Sequence, residues 1–187
     1  MQLENLKFPI GTFEYNPNDQ PQPIQKWLDV LREFPQHLET SVQDLTPAQM
    51  HWRYRPDGWA ILQVVHHCAD SHMNSFTRFK LALTEENPVI RPYEEHLWAN
   101  MSDELTADVS SSMAILKGVH QRWVYFLERL SPDEWQKTFV HPASQKTYTL
   151  VEALGLYAWH CAHHLAHIHQ AIAHQGEFGS LENEIIR

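Results

Sequence analysis

Glycine is scarce in this chain, with 6 residues in 187. Cysteine is scarcer still, and two residues cannot build a disulfide framework. Positive charge is in short supply: 14 Lys and Arg stand against 23 Asp and Glu, a formal net charge of −9. Binding a phosphate backbone needs clustered cations, so no nucleic-acid partner is expected. No apolar run approaches the ~18–20 residues of a membrane span, so no membrane partner is expected either. The opening segment, MQLENLKFPIG, lacks a basic stretch followed by an apolar one. A secretory signal is therefore not expected, and the expected location is the cytoplasm. Glycine-rich phosphate loops and Ser/His/Asp or Cys/His nucleophile patterns are not detected. Apolar residues, at 43%, are sufficient for a real core, which excludes a disordered or fibrous chain.

The long segments carry apolar residues at 3.6-residue spacing, which predicts an all-α class. Four helices are expected, over residues 23–44, 60–83, 109–130 and 150–174. Pro35 lies inside the first and is expected to kink or break it. Each helix of about 20 residues is ~30 Å long, and the natural package is a four-helix bundle. Thr46-Pro47-Ala48-Gln49 and Ser131-Pro132-Asp133-Glu134 each read as a hydroxyl cap, a proline at the first helical position and a Gln or Glu three residues after the cap. Each should start a short turn, so the order of long helix, capped turn and histidine-bearing helix repeats. Residues 87–100 read as a proline-broken crossover with one short helix, and residues 138–149 as a small hairpin. The expected organisation is one domain over 1–187, with 1–22 an extended N-terminal arm.

Histidine is what the chain has in excess: 14 residues, as many as Lys and Arg together. Nine fall in two windows, 66–72 and 160–174. Neutral imidazole is a ligand for zinc and nickel, and catalytic metal sites commonly use three protein ligands and an open position. Residues i and i+4 of a helix share a face, so His160 and His164 form a candidate pair, as do His163 and His167. A third ligand would come from His66 or His67, and periodicity does not choose between them. Cys68 and Cys161 sit beside histidines, but consecutive helical residues diverge by ~100°. They read as small buried thiols.

The segment from Gly58-Trp59 through His66-His67-Cys68 to Asp70-Ser71-His72-Met73-Asn74 resembles the second-helix motif of the YfiT-type proteins in the DinB-like superfamily. The resemblance extends to Arg78–Glu86, to Ile90-Arg91-Pro92-Tyr93, to Gly155-Leu156-Tyr157-Ala158-Trp159-His160 and to Phe8-Pro9-Ile10-Gly11, over essentially the whole chain. It implies a four-helix bundle holding one divalent ion, zinc or nickel, on three histidines. Residue by residue, these are His67, His160 and His164. It further implies a metal-dependent hydrolase acting on a small molecule, often as a homodimer. Relatives that join a low-molecular-weight thiol such as bacillithiol or mycothiol to electrophiles make a thiol S-transferase the alternative, with Arg78, Arg91 and Tyr93 as candidates for its pocket. A metal-stabilised binding protein without turnover is a third reading. Asp70 and His163 are the candidate proton shuttles of a hydrolase. A dimer is expected because helices two and four carry surplus apolar surface. Free imidazole titrates near ~6.5, so metal release is expected below about pH 6.

Overall fold

The structure, a computed structural model, describes residues 2–178. Its helices are α1 (Leu3–Lys7), α2 (Ile24–Val42), α3 (Pro47–Met50), α4 (Ile61–Thr84), α5 (Glu95–Trp98), α6 (Ser110–Leu127) and α7 (Leu150–Ala173). One antiparallel hairpin, β1 (Thr138–His141) and β2 (Lys146–Thr149), precedes α7, in a register that pairs Phe139 with Tyr148. The four long helices lie within a few residues of the spans predicted from periodicity. Among the described residues, no helix is long and apolar enough to cross a membrane.

The long helices form a ring in which α2 packs on α6 and α7, and α4 packs on the same two. Each half of the chain therefore places its two long helices on a diagonal. The core runs down the ring axis and is filled by Leu31, Phe34, Phe79, Leu116, Trp123 and Leu154. Apolar burial of this kind supplies the main favourable term, at ~25 cal/mol per Å².

The ends of the helices follow from their sequences. Thr46 and Gln49 cap α3 reciprocally: the Gln49 N–H donates to Thr46 Oγ1 at 3.3 Å and the Thr46 N–H to Gln49 Oε1 at 2.8 Å. Ser131 and Glu134 make the same exchange, but the element they start is a single 3₁₀ turn, Glu134–Gln136. At the start of α4, Gln63 accepts from the Ala60 N–H and donates to the Ala99 carbonyl at 2.6 Å, which ties the crossover to the helix. Thr149 caps α7 by accepting from the Glu152 N–H at 3.2 Å.

Pro35 does not break α2, which runs unbroken from Ile24 to Val42. A proline lacks the N–H that the carbonyl four residues back would accept, here that of Leu31. His120 of α6 replaces it: its Nδ1 lies 2.5 Å from the Leu31 oxygen.

The N-terminal arm contains a turn of helix, α1, and is docked along α7. The Leu6 carbonyl accepts from Gln170, the Lys7 carbonyl from His167 Nε2 at 3.0 Å, and the Gly11 carbonyl from the Trp159 indole at 3.1 Å. Gly155 makes room for this docking; a Cβ there would stand 3.0 Å from Trp27 and 3.1 Å from Phe13. Part of the surplus apolar surface expected on the fourth long helix is thus covered by the arm. The exposed apolar residues lie chiefly elsewhere, at Val89 and Leu97 of the crossover and at Met101 and Leu105 just after it, which are 50–69% exposed.

Candidate metal centre

The two histidine windows meet where α4 passes α7. His160 Nε2 lies 3.2 Å from His164 Nε2 and 3.4 Å from His67 Nε2, and the three rings offer ligand atoms within 4.8 Å of one another. His160 and His164 are brought together by one turn of α7; His67 comes from α4. The adjacent His66 points elsewhere, with Nε2 3.0 Å from the Thr106 carbonyl and Nδ1 2.7 Å from Ser112 Oγ.

Burial sets the protonation of these rings. It pushes His67 down to about 4, with the nearby His163 contributing. It holds His160 and His164 well below the ordinary imidazole value, reinforced by their crowding against other histidines. All three are neutral near pH 7, the state in which imidazole binds a metal. The spacing fits as well. Two nitrogens at ~2.0–2.1 Å from a tetrahedral zinc are ~3.3–3.4 Å apart, close to the separations found here. Without a cation, three converging Nε2 atoms cannot all be paired, since each neutral ring carries one proton. The donor set therefore fits a divalent ion of the zinc or nickel type.

The cluster forms part of the wall of a cleft of about 460 Å³. The arm contributes Lys7 and Phe8 to its wall, the hairpin Phe139, His141 and Tyr148, and the α3–α4 connection Tyr54, Arg55 and Trp59. Trp59 packs on His67 with ring centroids 4.8 Å apart. Arg78 and Glu95 line the cleft too. The arginine ion pairs of the described residues are made by Arg32 and Arg129, not by Arg78. Of the expected pocket residues, Arg78 lines the cleft, whereas Arg91 and Tyr93 do not.

His163 also lines the cleft. It stacks on Trp159 at 4.4 Å, its Nδ1 is buried without a partner, and burial pushes it down to about 4. Asp70, expected as an alternative shuttle, is not among the cleft residues. It is half-buried, and its carboxyl is raised by burial and by Asp103. Glu104, raised to about 8 by burial and then by Asp70 and Asp103, completes that acidic group. His167, the i+4 partner of His163, stacks on Tyr54 at 3.8 Å and is tied to the Lys7 carbonyl.

Sequence reasoning passed over two histidines that join the cluster. His72 Nε2 lies 3.0 Å from His160 Nδ1, and His72 Nδ1 lies 2.7 Å from His120 Nε2. Both are fully or nearly fully buried, at 0% and 2% exposed. With Cys161 they form a second group whose ligand atoms lie within 4.8 Å of one another. The Cys161 thiol is held well above its ordinary value by burial and by Cys68. Cys68 is likewise buried and raised.

Residues 30–168 match the family described as the DinB superfamily. A Bacillus subtilis protein named "Putative metal-dependent hydrolase YfiT" is 46% identical over 164 residues, which is 88% of this chain and 92% of that protein. A Bacillus mycoides protein of the same description is 46% identical over 167 residues, 89% of this chain and 95% of the other. A solved structure of YfiT from Bacillus subtilis, described as having an unusual four-helix bundle topology, matches with a TM-score of 0.88 and 44% identity. The match covers 93% of this chain and 99% of that one.

Proposed function

The chain belongs to the DinB superfamily, and on that premise we propose that it is a metal-dependent hydrolase of a small molecule, with His67, His160 and His164 as ligands of one zinc or nickel ion. The observation that carries the reading is the convergence of three neutral Nε2 atoms on an open cleft, those of His164 and His67 lying 3.2 and 3.4 Å from that of His160. A divalent ion held by three imidazoles acts as a Lewis acid, polarising carbonyl groups and acidifying water.

The remaining chemistry belongs to side chains. His163 lines the cleft and its stacking on Trp159 fixes its plane; it serves as the proton acceptor only where a bound substrate raises its basicity from about 4. Lys7, Arg55 and Arg78 present cations to the cleft against the single carboxylate of Glu95, so the favoured substrate carries an anionic group. Trp59, Trp159 and Phe8 give the cleft apolar walls. The protein acts as one domain in the cytoplasm, as a homodimer joined through Leu97 and Met101, both of them exposed.

The cleft volume supports a second reading, a thiol S-transferase. About 460 Å³ leaves room for a small thiol beside an electrophile, and both cysteines of the chain are buried, so the thiol would come from solution. The experiment is a turnover screen of zinc- and nickel-loaded protein against esters and amides, and against thiol–electrophile pairs. Ester or amide hydrolysis lost in His160→Ala is expected. Turnover only when a thiol is added would move the assignment to the transferase. No turnover in either panel would leave a binding protein.

A further inference from the structure

Two buried histidines behind the cleft, His72 and His120, and the cleft residue His160 are ordered by one backbone carbonyl. The Leu31 oxygen is freed by Pro35, which has no N–H to offer it, and it lies 2.5 Å from His120 Nδ1. A carbonyl can only accept, so His120 carries its proton on Nδ1. Burial keeps His120 neutral, at about 4, so its Nε2 is a bare lone pair. That lone pair faces His72 Nδ1 at 2.7 Å, which must then hold the proton between them. His72 is fully buried and has no carboxylate among its hydrogen-bond partners, so its ring is neutral; its Nε2 is then bare and faces His160 Nδ1 at 3.0 Å. The proton there belongs to His160 Nδ1. His160 Nε2 is left as a bare lone pair at the meeting point of His67 and His164. With neutral rings, any other placement sets two lone pairs or two protons against each other in the core, an unmade contact costing ~1–3 kcal/mol.

We propose that His72 and His120 are positioning residues: a relay anchored on the Leu31 carbonyl holds His160 in its Nδ1–H form and presets its Nε2 lone pair for the metal. The inference rests on the ligand reading above. It also decides between the two groups that could hold an ion. A metal bound by His120, Cys161 and His72 through Nδ1, the His72 nitrogen that lies 2.7 Å from His120, would need that nitrogen bare. His72 would then carry its proton on Nε2 and donate to His160 Nδ1, which puts the remaining proton of His160 on Nε2 and closes the first site. The two sites exclude each other, and the carbonyl selects the first. His164 has no comparable support, since its Nδ1 is buried without a partner. The relay thus makes His160 the preorganised member of the set.

The test begins with the metal-free full-length protein labelled with ¹⁵N-histidine. Long-range ¹H–¹⁵N correlation spectra should show the Nδ1–H tautomer at His160, His72 and His120. An Nε2–H tautomer at His72 or His160 overturns the relay, whether or not the protein binds metal. Zinc and nickel affinities by chelator competition form the second arm. His72→Phe keeps the ring shape without the polar atoms and should weaken binding ~10–100-fold, the usual cost of losing an outer partner of a ligand. His72→Gln, whose amide can accept from His160 and donate to His120, should stay within a few-fold of wild type. Equal affinities in all three proteins overturn the positioning role, as does a stoichiometry of two ions per chain. Wild-type protein that binds neither ion overturns the proposed function, and the spectra of the metal-free protein read the relay independently of that result.

Discussion

His66 and His67 are neighbours in sequence and serve different parts of the molecule. His66 is engaged by Ser112 and the Thr106 carbonyl, while His67 Nε2 lies 3.4 Å from His160 Nε2. The step of ~100° between consecutive helical residues separates a ring that fastens α4 to α6 from a ring that faces the cleft. His67→Ala, His160→Ala and His164→Ala should each lose more metal affinity than the ~10–100-fold cost of an outer partner. His66→Ala and Cys161→Ala should retain metal but melt at lower temperature. Metal analysis after dialysis checks this, and full occupancy in His67→Ala would remove that residue from the ligand set.

Acid should destabilise the metal-free protein. Burial holds His67, His120 and His163 down to about 4 and His167 to about 3, against ~6.5 in an unfolded chain. The unfolded state therefore binds these protons first. The stability involved is fully present above ~6.5 and is lost as the pH falls toward about 4. Glu104, held up at about 8, works in the opposite sense, with stability lost as the pH rises through that value. Four histidines outweigh one glutamate, so thermal melts should show the melting temperature falling between pH 6.5 and 4. A flat profile there contradicts the assignment.

The same burial moves metal release to lower pH than free imidazole suggests. The reference pKa gives loss below about pH 6; burial, which pushes His67 down to about 4, moves the expected release lower. Metal retained at pH 5.5 and released as the pH approaches 4 is the expected result, measured by a chromogenic chelator.

Gly155→Ala should loosen the arm. The added methyl would crowd Trp27 and Phe13, and overpacking costs ~1–3 kcal/mol. For a chain of this size that is ~2–4 °C per kcal/mol, read by calorimetry. An unchanged melt would mean that both rings yield freely.

The dimer reading is tested by sedimentation of wild type and of a Leu97→Lys, Met101→Lys double variant. The expected result is a dimer that the two lysines convert to monomer. A wild-type monomer at all concentrations removes the proposal.

Much of the bundle was legible because its signals are local. The stripe Leu28, Leu31, Phe34 and Leu38 repeats at three and four, and the Thr46–Gln49 cap is complete within four residues. The pairing of His160 with His164 is equally local. What stayed hidden depends on partners far apart in the chain. His72 is five residues after His67, off its face, and His120 is a lone histidine on an apolar helix; each reads alone as a core residue. Their contacts span 48 and 88 residues. Pro35 misled for the same reason, since the group that relieves its break lies on α6.

The docking of the arm has a consequence for the order in which the protein can be made. The bond between His167 and the Lys7 carbonyl joins residues 160 positions apart, so the arm leaves the ribosome long before its seat on α7 exists. α7 also carries His160 and His164. Until α7 is made, the nascent chain holds His67 without His160 and His164, and one wall of the cleft waits undocked. Domains form during translation at ~5–20 residues per second, so this interval is on the order of ten seconds. The proposed ligands can then meet only after α7 has been made, and a ribosome stalled before α7 emerges would display a polypeptide with no site to load.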